Sequence, residues 1–380
     1  MMRLKNTPRL YVILITSVFL AVLTAPFWLW QLKAAKELNV LIIDKTVPDK
    51  SYREHNGLVW VLNNEKYRTD EGKPYSAKTN YIGFKPGDNG KFSTIGLPEN
   101  LKRYNVIYLA DQYGVYEEEF LGKKQHGKRS RLLYGGLQPE EIDKIEKALR
   151  TSEGITFIAE FNTFGSPATD EVRSRMSNLL NADWTGWIGR YFPDLASEEV
   201  PAWAKEQYRG KPGGWTGPGF VFVNKEGQVV VASEKELTGN GVDFTFTTAG
   251  EKRFGRKLEA TYQYWFDIVE ARDSSEVLAS FSLPLKAEAR ERLEGFGIPS
   301  VFPAVVSHVN IQFTSYYFAG DFADEGEVPS IYQTKGLTEW KEHFGTQDSF
   351  YWEGYVPMMK KLFKHGLHAD IKLDEVEIGG

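Results

Sequence analysis

The 380-residue sequence contains no cysteine. That absence removes a disulfide framework, a cysteine-ligated metal centre and a thiol nucleophile in one step. Stability has to come from packing. With 42% apolar residues, the chain can bury one large domain or two. It also lacks a basic surface: setting Arg3, Lys5 and Arg9 aside leaves 43 basic residues against 51 acidic ones, a net charge of about −8. Such a surface offers no general attraction to nucleic acid or anionic lipid, so nucleic acid is not expected as a partner. No internal repeat and no compositional linker divides the chain.

Charge is missing altogether from Leu10 to Leu32, a 23-residue run, LYVILITSVFLAVLTAPFWLWQL. At 1.5 Å per residue this reaches roughly 34 Å, enough to cross a hydrocarbon core of about 30 Å. Residues 1–9 form a stub whose only charges are Arg3, Lys5 and Arg9. The positive-inside rule keeps that stub in the cytoplasm and sends the main domain outside. Residues 10–32 are thus expected to meet the lipid bilayer, with Trp28 and Trp30 at the outer headgroup boundary. The competing reading, a cleaved signal peptide, fits less well because its apolar region is usually only about 7–15 residues long.

Beyond the anchor, residues 38–182 alternate strand and helix. Val40–Asp44, Val106–Asp111 and Ile155–Glu160 are short, continuously apolar segments ending in a carboxylate, the pattern of strands buried on both faces of a parallel sheet. Helices are predicted after each: one opened by a Ser51/Glu54 capping box, one with Pro139 in its first turn, one capped by Ser166 before Pro167. His55, on the first helix, reads as a surface residue. The basic run Lys123-Lys124 and Lys128-Arg129-Ser130-Arg131 reads as a solvated loop. The expected fold class is α/β, a parallel-sheet flavodoxin-like core preceded by one transmembrane helix.

Residues 183–380 follow a different grammar. Phe220–Val223 and Val229–Ala232 flank Asn224-Lys225-Glu226-Gly227 and predict a β-hairpin. Further strands are expected at Tyr262–Val269, Val277–Leu283 and Val305–Phe318, and short helices at Lys286–Leu293 and Tyr355–Lys364. This half is a β-rich extension, either added to the first sheet or a smaller second domain.

Three groups of residues point to chemistry. Asp44, Asp111 and Glu160 end the parallel-strand candidates, where the ligand crevice of an open α/β sheet lies. Paired carboxylates serve glycoside hydrolysis, and a trio can hold a hard cation; the competing role is turn and helix capping. His308 stands upstream of Asp321 and Asp324, which follow Gly320 at another strand tip. A histidine beside such acids forms an acid/base pair, but the spacing carries no metal signature, and neither a metal nor a cofactor is expected. Trp184, Trp187, Tyr191 and Trp215 belong to an aromatic-rich stretch interspersed with Gly and Pro. Rings on irregular backbone form platforms that stack on sugars, or else pack a long loop onto itself.

The layout of residues 38–182, with strands ending at Asp44, Asp111 and Glu160 and a sharp turn into the helix after Pro167, resembles the class I glutamine amidotransferase-like family. In that family the third such strand leads to a nucleophilic cysteine. Phe161-Asn162-Thr163-Phe164-Gly165-Ser166 occupies that place here, so the resemblance implies a diverged, non-catalytic relative without glutaminase chemistry. The leading expectation is an extracytoplasmic accessory or binding protein for cell-envelope or exported polysaccharide. The rivals are a glycoside hydrolase using Asp111 with Glu160 or Asp321, and a structural subunit packed against a membrane-protein partner.

Overall fold

The computed structural model describes residues 7–122, 130–152, 154–208, 215–326, 328–329, 332–344 and 350–366. Lys123, Lys124, Lys128 and Arg129 of the basic run lie outside them.

Ten strands form one sheet. From one edge the order is Glu259–Tyr262, Val242–Phe246, Glu276–Ser282, Val301–Val309, Phe313–Phe318, Ile155–Ala159, Val106–Asp111, Val40–Asp44, Ile82–Pro86 and Phe92–Ile95. The strands at Val40, Val106 and Ile155 are parallel neighbours, with Ile82–Pro86 parallel on one side and Phe313–Phe318 parallel on the other. The remaining five pairings of this sheet are antiparallel. The expected parallel flavodoxin-like core is therefore incorrect: the sheet is mixed, and strands from the C-terminal half complete it. The three apolar runs are parallel as their pattern implied, but nothing local in them shows that antiparallel strands from the C-terminal half extend the same sheet.

A second, four-stranded antiparallel sheet is ordered Val229–Ser233, Gly219–Asn224, Ala182–Phe192, Phe266–Ala271. Its edge joins the large sheet through the bridge Phe266 to Gly320 and a bond from Asp267 N–H to the Ala319 carbonyl, 2.7 Å. Two expected single strands are really two each. Val305–Phe318 is a hairpin turned at Asn310, whose side-chain oxygen accepts from the N–H groups of Gln312 and Phe313. Tyr262–Val269 breaks into strands belonging to different sheets, so Gln263, Tyr264 and Trp265 form the crossover between them.

The helix starts also differ from expectation. Arg53–Asn64 begins after Tyr52, which has φ 54°, and the Ser51/Glu54 box is not formed. The Asp170–Leu180 helix is capped by Thr169, whose hydroxyl accepts from Val172 N–H, while Ser166–Pro167 is a cis peptide three residues earlier. Pro139 does open its helix.

Near the N-terminus a helix runs from Thr7 to Gln31, exposed along its apolar length and long enough to cross a membrane. Its far end docks on the domain. The Trp30 indole donates to the Asn64 carbonyl (2.8 Å), Lys33 pairs with Glu65 (2.5 Å), and the Lys66 ammonium sits 3.9 Å over the Trp30 ring.

Glu160 ties the two halves of the large sheet together. Its fully buried carboxylate accepts from the Tyr108 hydroxyl and from the N–H groups of Phe322 (3.1 Å) and Ala323 (3.0 Å). Removing it leaves the buried N–H groups of Phe322 and Ala323 unpaired, each costing about 1–3 kcal/mol, while the Tyr108 hydroxyl keeps its contact with the Tyr355 hydroxyl, 2.8 Å. Glu160→Ala should therefore lower unfolding stability by roughly 3–5 kcal/mol and Glu160→Gln, which keeps an acceptor, by less. Chemical denaturation reads both, and a loss under about 1 kcal/mol for the alanine variant would remove this anchoring role.

Candidate functional site

Asp44, Asp111 and Glu160 lie at the carboxyl ends of three adjacent parallel strands, but packing gives them different duties. Asp44 is fully buried and accepts from Thr46 N–H (2.9 Å) beside His55 Nδ1 (2.5 Å). His55, expected at the surface, is also fully buried, with Nε2 2.8 Å from the Ala77 carbonyl. A carbonyl only accepts, so Nε2 carries a proton and the contact with Asp44 shares a second one. Glu160 is sealed within its three hydrogen bonds. Neither acid, both expected as catalytic residues, lines the cavities described below.

Asp111 does border open space. Its carboxylate accepts from the Thr46 hydroxyl (2.8 Å), Tyr113 N–H (2.5 Å) and the Asn162 amide (3.0 Å). Burial pushes its pKa up to about 7 against those hydrogen bonds, with the Asp44 charge adding to the rise.

The open space is a cavity of about 630 Å³ between the strand tips and the second sheet. Asp111, Glu54 and Asp321 supply its acidic wall, and Trp184, Trp203 and the crossover pair Tyr264 and Trp265 its aromatic wall. Phe161 stacks on Trp265 with an interplanar angle of 13°. Arg190 lies over the rings of Tyr264 (4.3 Å) and Phe192 (4.6 Å), holding the crossover in place. A smaller cavity of about 210 Å³, bordered by Arg53 and Asp324, shares Glu54 and Tyr264 with the first.

The aromatic string departs from its expected loop. Ala182–Phe192 is an eleven-residue strand with a bulge between Trp184 and Trp187, where Gly186 takes φ +94°. Alternation then buries Trp187 (5% exposed) and Tyr191 (3%), so these two expected ligand-binding rings pack in the core and do not line the cavity. Trp184 remains half-buried at the cavity, its indole donating to the Trp187 carbonyl. Trp215 is half-buried too, but packs edge-on against Tyr208 (5.3 Å) and is not among the cavity-lining residues.

His308 cannot pair with Asp321 or Asp324. It faces Ser315, near the start of the strand whose other end leads to Asp321, and its ring contacts the Ser274 carbonyl (3.3 Å). Asp324 is held by Arg53 through two bonds of 2.7 and 3.1 Å. Arg53, Glu54, Asn162, Tyr264 and Trp265 are site residues that sequence reasoning missed. One signal for Glu54 was available: it stands in the first turn of the helix that follows the Asp44 strand, and so at the sheet edge where that strand ends.

No family model and no curated protein matches the chain. Solved structures similar to it include a β-galactosidase from Bacillus circulans sp. alkalophilus, at 11% identity and TM-score 0.36, covering 76% of this chain and 30% of that one. The carbohydrate deacetylase Agd3 is similar at 11% identity and TM-score 0.36, over 86% and 33%. A cytoplasmic protein from Salmonella typhimurium is similar at 12% identity and TM-score 0.37, over 86% and 98%. The chain thus spans about a third of the two carbohydrate-acting enzymes. Likeness at this level assigns no activity.

Stability should depend on pH through the cavity acids. Asp111 titrates near 7 when folded against 3.8 in its ordinary state, so between those values the folded chain binds more protons than the unfolded one. The resulting stabilisation is present at low pH and lost as pH rises through about 7. Glu54 and Asp321, both raised by burial and by neighbouring carboxylates, act in the same direction. In chelator-treated protein the melting temperature should fall from pH 5 to pH 8, and Asp111→Asn should flatten the slope. A melting temperature rising across that window would contradict protonated cavity acids.

Proposed function

We propose that the chain is a membrane-tethered protein that binds a cell-envelope or exported polysaccharide in the acidic and aromatic cavity, on the outer side of the membrane. The observation carrying this reading is the facing of Trp184, Trp203, Tyr264 and Trp265 against Asp111, Asn162 and Asp321 around one space. Aromatic faces stack on the C–H faces of sugar rings, and carboxylate or amide oxygens accept from their hydroxyls. Placement outside rests on Arg3, Lys5 and Arg9 before the apolar helix. Binding is favoured over hydrolysis by Asp111 with Glu160 because Glu160, one of the two expected partners of Asp111, is spent on the Phe322 and Ala323 backbone. Asp111 is itself engaged by three donors.

Two outcomes test this reading. Protease added to intact cells should remove a C-terminal tag and spare an N-terminal one; a protected C-terminal tag reverses the orientation. For the full chain in detergent, Trp184→Ala should weaken retention on the bound polysaccharide about five- to thirty-fold, the loss of one ring stack worth about 1–2 kcal/mol. Its melting temperature should move little. Trp187→Ala should instead cost about 3–5 kcal/mol of stability, as for any buried tryptophan. Unchanged retention in a folded Trp184→Ala protein would leave the cavity without a role in sugar binding.

A further inference from the structure

Where the two cavities meet, Glu54, Asp321 and Asp324 converge. One oxygen from each lies within 4.8 Å of the other two. Clustering alone says little, since acidic groups often gather in water. Here Glu54 has an oxygen withdrawn from water without compensation, and Asp321 is largely buried at the cavity wall beside it. Asp321 is 9% exposed, and its carboxylate receives no hydrogen bond among the described residues. Glu54 Oε2 is shielded from solvent and has no hydrogen-bond partner. An unpaired buried carboxylate is among the costliest groups a fold can carry unless it is neutralised or bound to a cation.

The backbone around the three acids is held in place. Asp321 N–H donates to the Tyr262 hydroxyl (2.8 Å), and Phe322 and Ala323 are fixed by Glu160. The Ala323 carbonyl accepts from Gly57 N–H (3.3 Å), and Glu325 N–H donates to the Arg53 carbonyl (3.2 Å), so the helix carrying Glu54 is laced to the segment carrying both aspartates. Arg53 answers one negative charge by gripping Asp324. Two charges are left over.

We propose that Glu54, Asp321 and Asp324 form a binding site for a hard divalent cation, calcium foremost, at the seam between the cavities. Carboxylate oxygens without histidine or cysteine select calcium, magnesium or manganese over zinc and copper. Three carboxylates favour calcium, because magnesium usually takes one or two and retains its water. Arg53 lies at the surface beside the site and can turn outward as the cation takes its share of Asp324.

The test uses the full chain in detergent, stripped with chelator and titrated with calcium, manganese or magnesium chloride and no sugar. One saturable site per chain is expected, with a higher melting temperature when the cation is bound. Asp321→Asn and, separately, Glu54→Gln should each weaken binding at least tenfold. Asp170→Asn, at the exposed start of another helix, should not. Absence of saturable binding by all three cations, or binding unaltered in folded Asp321→Asn and Glu54→Gln proteins, would overturn the site. Since no polysaccharide is present, that failure would leave the carbohydrate reading untouched, and failure of sugar binding would leave the cation result standing.

Discussion

The arrangement of this molecule hangs on the buried Glu160 carboxylate. It ends the Ile155–Ala159 strand in the middle of the large sheet, yet its ligands are the Tyr108 hydroxyl on the neighbouring strand and two N–H groups more than 160 residues downstream. Burial pushes its pKa up to about 8, and the donors around it are what make a carboxyl tolerable there. Because those donors belong to Phe322 and Ala323, the acid sets the path of the chain as it leaves the Phe313–Phe318 strand. Asp321 and Asp324 flank that segment. A residue that looks catalytic by position thus works as the fixture that places other acids.

The cavity follows from a second constraint, the splitting of one apolar run between two sheets. Tyr262 ends a strand of the large sheet, and Phe266 begins a strand of the small one. The three residues between them have to cross the gap, and two are the aromatics facing the acidic wall. The two sheets are joined there at the Phe266 to Gly320 bridge and the Asp267 to Ala319 bond, which leaves a corner between them. The corner is open where Phe161, Trp184 and Trp265 line it, and closed below by Phe266 against Phe281 and Phe302. Gly189 permits that closure, since a Cβ there would stand 2.6 Å from the Phe266 ring.

Legibility in the sequence followed the range of the forces involved. The strands at Val40, Val106 and Ile155, the Pro139 helix, the hairpin around Asn224 and the apolar N-terminal helix rest on local patterns, and all are present. Sheet order, the direction of the added strands and the break between Tyr262 and Phe266 are tertiary outcomes with no local signature. The same division runs through the site. Asp111 and Asp321 stood out because they end strands. His55 was misplaced because its partner Asp44 lies on another element, and Trp187 because a bulge at Gly186 changed which rings face inward. Glu54 passed as a cap residue because nothing local showed that its intended cap would fail.

The helix from Arg53 to Asn64 connects the N-terminal apolar helix to the site mechanically. Its first turn supplies Arg53 and Glu54 to the acidic cluster, while its last residue and the one after it receive Trp30 and Lys33 from the apolar helix. Twelve residues at 1.5 Å each make this helix about 18 Å long. Arg53 and Glu54 therefore stand about 18 Å along this helix from the residues that receive Trp30 and Lys33. The indole and ion-pair contacts at Trp30 and Lys33 leave no free linker between the apolar helix and the domain. These contacts fix how the apolar helix sits relative to the helix that carries Arg53 and Glu54, so the N-terminal segment and the acidic cluster are held at opposite ends of one rigid element.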